Sequence, residues 1–146
     1  MRVPSLARAL PFAFATLALS LCLSGQGAAA QEAQPLPPGN AEAGAKVFNR
    51  CKACHQIGPG AESNIGPELN GVMGRPAGKL PDYVFSEGLA SAGFVWDDAH
   101  MAEWLRGTKK MIPTTKMIFP GIRKDQDMAD LLAYLHQFKA DGSTAP

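Results

Sequence analysis

Cys51-Lys52-Ala53-Cys54-His55 places two thiols three positions apart, with an imidazole directly after the second. Thiols so spaced can each add across a vinyl group of haem to form a thioether, and the adjacent histidine is then held where its ring meets the iron. C-x-x-C-H is the attachment signature of a c-type haem. A bare C-x-x-C says much less, because zinc sites and dithiol redox pairs share it. The histidine narrows the choice, and the chain has no second C-x-x-C to complete a four-ligand zinc site.

The compartment bears on those thiols. Residues 1–30 have the layout of a secretory signal peptide: Arg2 and Arg8 make a positive start, residues 10–23 are mainly apolar, and Ala28-Ala29-Ala30 suits a small-residue cleavage site before Gln31. The apolar run is shorter than the ~20 residues a membrane-spanning helix needs. Leu21 stands where a lipid-anchoring signal would put a small residue ahead of Cys22. The expectation is therefore export to the periplasm, with Cys22 removed and Cys51 and Cys54 retained. A disulfide between those two would close so short a loop that it would add little stability, whereas thioethers use both sulfurs. Cleavage also removes two arginines from a formal net charge of +1, leaving −1. Such a balance gives no reason to expect nucleic-acid binding.

The remaining length has room for one domain, and helices must carry it. Residues 31–39, with Pro35, Pro37 and Pro38, read as a flexible tail. Asn40 is a good helix N-cap, followed by Val47, Phe48 and Cys51 on one face. Gly44, a poor interior helix residue, is suited to letting another helix come close. Residues 58–78 are rich in Gly and Pro and have no sustained period, as expected of backbone wrapped around a large flat ligand. A short helix is expected within 85–90. Asp97 and Asp98 open another that turns Met101, Trp104 and Leu105 inward and stops at Gly107, and a turn follows over 108–111. The last helix is expected from Asp125 to Lys139, with Met128, Leu131, Leu132 and Leu135 as its buried stripe and Lys139 matching the dipole at its end. No strand is expected. The domain is placed at residues 40–140, and 141–146 form a C-terminal tail.

From Gly39 to Lys139 the chain resembles the class I cytochromes c, especially the bacterial cytochrome c2 and c-550 group close to mitochondrial cytochrome c. The motifs that carry the resemblance stand in family order: Gly44 and Phe48, the Cys51–His55 pentapeptide, Gly66-Pro67-x-Leu69-x-Gly71, Gly74-Arg75, Trp96, residues 113–121 around Thr115, Met117 and Phe119, and Leu131-x-x-Tyr134-Leu135. The resemblance implies an all-α fold, a small helical shell around one covalently bound haem c, with the first and last helices crossing near Gly44 and Tyr134. It implies attachment through Cys51 and Cys54, with His55 and Met117 as axial ligands. Met73, Met101, Met111 and Met128 lack the family context, and His100 and His136 are expected to be solvated or core histidines. The Pro67 carbonyl should accept the His55 ring proton, and Arg75, Trp96 and Thr115 should serve the haem propionates and the methionine side. Phe85 replaces a propionate-binding tyrosine, a bond that Tyr83 would have to supply. Leu89 and Trp104 stand where asparagine and tyrosine are usual.

The function so implied is that of a soluble, monomeric, periplasmic one-electron carrier, peripheral to the membrane and without catalytic activity. Its partners would be redox proteins such as a bc1-type complex, a photosynthetic reaction centre, a terminal oxidase or a periplasmic dehydrogenase. Lys52, Lys109, Lys110, Lys116, Arg123 and Lys124 would frame a docking face, giving exchange rates that fall as salt rises. Two other roles differ by simple observations. A haem peroxidase or ligand sensor would bind external ligands readily, and a dedicated complex subunit would co-purify with its partners.

Overall fold

The computed structural model describes residues 35–144; the expected leader, residues 1–30, lies outside them. Five helices form the scaffold: α1 (Ala41–Phe48), α2 (Glu87–Ala90), α3 (Asp98–Arg106), α4 (Thr108–Met111) and α5 (Asp125–Leu135). The fold is all-α, with only two isolated bridges, Pro76 to Val95 and Phe138 to Thr144, among the described residues.

Each helix starts where the local chemistry dictates. The Asn40 side chain accepts the Ala43 N–H at 2.9 Å to cap α1, and Asp97 does the same for His100 at the head of α3. α1 then lies directly against α5. A Cβ on Gly44 would run into the Asp130 carbonyl oxygen and come within 2.7 Å of Tyr134 Cβ, so only glycine allows this approach. Phe48 packs on Tyr134 with ring centroids 5.3 Å apart, and Met128, Leu131, Leu132 and Leu135 of α5 are buried as their spacing predicts. α3 buries Met101, Trp104 and Leu105, also as expected.

Three boundaries differ from the sequence expectation. α5 ends at Leu135 rather than Lys139. Phe138 instead places its ring edge against Tyr134, and the Lys139 and Ser143 backbones pair at 2.9 Å, closing a turn over residues 138–144. Lys139 therefore lies beyond the helix it was expected to complement, and residues 141–144 fold back instead of trailing. At the other end, the tail is already anchored over its last residues. Leu36 packs against the core, and the Pro38 carbonyl accepts from Gln126 at 3.0 Å.

The stretch between Ile57 and Ser86 has no helix, and side chains hold it in place of a ladder. Asn70 cross-links it, accepting from Gly58 N at 2.7 Å and donating to Gly58 O at 3.0 Å. Backbone bonds from Gly74 and Ala77 to Trp96 and Phe94 tie its far side to the chain ahead of α3. No helix among the described residues is long and apolar enough to cross a membrane.

Candidate functional site

The irregular stretch, α3 and the loop before α5 enclose a cavity of about 360 Å³. Cys51, Cys54, His55, Pro67, Arg75, Tyr83, Trp96, Thr115 and Met117 all line it, so the residues expected to serve a haem border one cavity. Most of the remaining wall is apolar, including Phe48, Leu69, Val72, Leu105, Leu131 and Leu135.

The C-x-x-C-H segment is a tight turn continuing from α1. Cys51 N–H bonds the Phe48 carbonyl at 2.8 Å, and the Cys54 and His55 N–H groups both return to the Cys51 carbonyl, at 3.0 and 2.9 Å. Neither cysteine is in a disulfide. Burial pushes the Cys51 thiol up to about 11 against the opposing charge of Arg50.

His55 is fixed on two sides. Its Nδ1 lies 2.8 Å from the Pro67 carbonyl oxygen, which can only accept, so the ring donates from Nδ1 and leaves the Nε2 lone pair available. Burial holds the imidazole below its ordinary pKa, outweighing the Pro67 hydrogen bond, and neutral imidazole is the ligating form. The ring also lies against the backbone of Gly66, where an added Cβ would fall 2.5 Å from His55 Cε1 and 2.7 Å from Nδ1.

Thr115 is buried, and its hydroxyl oxygen accepts the Met117 N–H at 3.1 Å. Thr108, which the sequence marked only as part of a turn, donates its hydroxyl to the Met117 carbonyl at 3.4 Å. Met117 is thus held at both of its backbone groups. Of the other methionines named above, Met101 also lines the cavity, whereas Met73, Met111 and Met128 do not. His100 stacks on Phe94 at 4.5 Å and His136 pairs with Asp98 at 2.6 Å, both away from the cavity wall. Phe85, Leu89 and Trp104, the departures from the family pattern, are part of that wall.

Two further polar residues line the wall, Tyr83 and Ser86. The Tyr83 hydroxyl donates to the Ile65 carbonyl at 2.8 Å. That bond ties Tyr83, a residue of the cavity wall, to the Ile65 segment of the loop. Ser86 supplies what the sequence did not single out. Its hydroxyl oxygen is buried in the cavity wall with no hydrogen-bond partner among the described residues. It stands at the N-cap position of α2 without making the cap bond, and a serine at such a position normally reads as a cap and nothing more.

These features define a helical shell around an apolar slot equipped for a covalently held, axially ligated haem. The chain belongs to the cytochrome c family, whose profile matches residues 41–139. Cytochrome c2 of Rhodoblastus acidophilus is 47% identical over 105 residues, spanning 72% of this chain and 98% of the relative. Cytochrome c-550 of Nitrobacter winogradskyi is 43% identical over 104 residues, 71% of this chain and 95% of its own. Cytochrome c of Gossypium barbadense is 43% identical over 108 residues, with 73% and 97% covered. Among solved structures, cytochrome cH from Methylobacterium extorquens superposes with a TM-score of 0.62 at 44% identity, covering 66% of this chain and 97% of that one. As a member of the family the protein carries one covalently attached haem c and transports electrons; it is not an enzyme.

The residues present fit that group. Apolar walls suit the porphyrin face, and the two cysteines border the same cavity as His55 and Met117. The unpartnered Ser86 hydroxyl and the Arg75 guanidinium offer donors for anionic carboxylates, which require such partners when withdrawn from water.

Proposed function

We propose that this cytochrome is a soluble, monomeric periplasmic carrier that shuttles single electrons between larger redox complexes. In this account Cys51 and Cys54 would hold the haem, His55 Nε2 and Met117 Sδ would ligate its iron, and Arg75, Trp96, Thr115 and Ser86 would serve its polar edge. The observation that supports it most is the convergence of both cysteines, His55 and Met117 on one largely apolar cavity.

Bound there, the haem supplies a one-electron ferric/ferrous couple. The protein's residues set its terms. Pro67 fixes the His55 ring and makes it a better donor. The soft, neutral sulfur of Met117 compensates ferric charge poorly and so favours the reduced state. Thr108 and Thr115 hold the Met117 backbone, so that its sulfur would stay on the iron and leave no site for oxygen or peroxide. Ile65 and Ile118, 67% and 92% exposed, put apolar side chains at the cavity rim beside Lys116. An apolar centre flanked by lysines suits brief docking, in which charge orients the encounter and the small contact releases quickly. The partner complex, whether a bc1-type complex, a reaction centre, a terminal oxidase or a dehydrogenase, would present acidic groups to this face.

Intact mass of the protein recovered from the periplasmic fraction tests the proposal. The expected species begins at Gln31, or its cyclised form, and carries one haem that survives acid-acetone extraction. A chain retaining residues 1–30, or one that loses its haem on extraction, would contradict it.

A further inference from the structure

Arg75 does not face the cavity as a lone cation. Its Nη1 lies 2.7 Å from Glu68 Oε1, and the two side chains are only 16% and 15% exposed. Nη1 and Nη2 also donate to the Asn70 and Glu68 carbonyls at 3.4 and 2.9 Å. The second oxygen of Glu68 accepts the Asn70 N–H at 2.6 Å, and the Glu68 N–H donates to Ser63 at 3.1 Å. Both carboxylate oxygens are therefore committed, and the pair is locked into the loop. Glu68 itself is not part of the cavity wall. It sits behind Arg75 and is bonded in sequence to Pro67, whose carbonyl holds His55.

We propose that Glu68 is a positioning and counter-charge residue that sets how much of the Arg75 positive charge the haem experiences, and thereby tunes the reduction potential. This rests on the preceding account of Arg75 as a donor at the haem edge. Reduction adds one negative charge to the site, so a nearby positive charge favours it. An isolated guanidinium acts as a full charge. Paired with Glu68 it acts as a dipole, whose field falls off faster with distance. Because the pair is largely withdrawn from water, salt screens it less than a surface pair. Glu68 therefore holds the potential below the value that an unpaired Arg75 would give.

The test is the midpoint potential of the holoprotein at pH 7 together with its thermal midpoint. Glu68→Gln keeps the shape of the side chain and removes its charge; the potential should rise, with a several-fold higher ferrous-to-ferric ratio at a fixed ambient potential. Glu68→Asp keeps the charge and should leave the potential close to that of the parent even where thermal stability falls. Arg75→Gln should lower the potential, and the double variant with Glu68→Gln should return it toward the parent value. That double variant keeps the proposal testable if the single Glu68→Gln chain matures poorly. Stability losses in Glu68→Gln with an unchanged potential, or a double variant no higher than Arg75→Gln alone, would overturn it. Haem absent from the parent protein would defeat the functional account itself, whereas a haem protein whose potential ignores Glu68 would defeat only this inference.

Discussion

His55 is held by a flat contact that tolerates no side chain beneath it. A Cβ at residue 66 would meet three atoms of its ring inside 3.0 Å, and the ring cannot retreat without stretching its bond to Pro67. Gly66→Ala should therefore destabilise the holoprotein by about 1–3 kcal/mol, the usual range for overpacking, measured by denaturant unfolding; an unchanged midpoint would show that the ring is not pressed against this backbone. Residues with rare chemistry at fixed spacing were legible in the sequence: Cys51, Cys54 and His55 from a contiguous motif, and Met117, Pro67, Arg75, Trp96 and Thr115 through the family pattern. Ser86, Thr108, Glu68 and Asn70 were not. Each is a common loop or cap residue whose role depends on a partner that only the folded chain brings near, such as Gly58 for Asn70.

The helices were legible where hydrophobic spacing and caps agreed. Asn40 and Asp97 mark their caps correctly, and the α3 and α5 stripes are buried as their periods require. The end of α5 was not legible, because residues 136–139 remain compatible with helix until Phe138 finds Tyr134 and the chain turns back. The crossing of α1 and α5 rests on Gly44, and two effects of opposite sign compete there. Alanine in place of a helical glycine normally gains roughly 1 kcal/mol from propensity. Here its methyl would strike the Asp130 carbonyl, which is backbone and cannot step aside. Overpacking should win, so Gly44→Ala should lower the thermal midpoint. A rise would mean that the two helices do not approach as closely as described.

Considered whole, the molecule has nearly balanced charge, with 14 Lys and Arg against 13 Asp and Glu, so distribution matters more than net charge for docking. Lys109, Lys110 and Lys116 share cavity walls with the exposed Ile118, while Asp97 and Asp98 stand at the head of α3, and on the proposed docking face those lysines would form a local positive patch on a near-neutral body. Such a patch steers a partner only within about 10 Å at ~0.1 M salt, in keeping with brief encounters. In the proposed account the whole acts as a carrier because its iron would be closed on both sides, with Met117 as the residue that closes it. Met101 is its one rival among the named methionines, since it lines the same cavity. The decisive measurement is a cyanide titration of the ferric protein at neutral pH, followed by absorption, in the parent, Met117→Ala and Met101→Ala proteins. The account predicts that the parent and Met101→Ala keep the weak red sulfur-to-iron band and resist cyanide, while Met117→Ala loses the band and binds cyanide readily. Ready binding by the parent, or loss of the band in Met101→Ala but not in Met117→Ala, would contradict it.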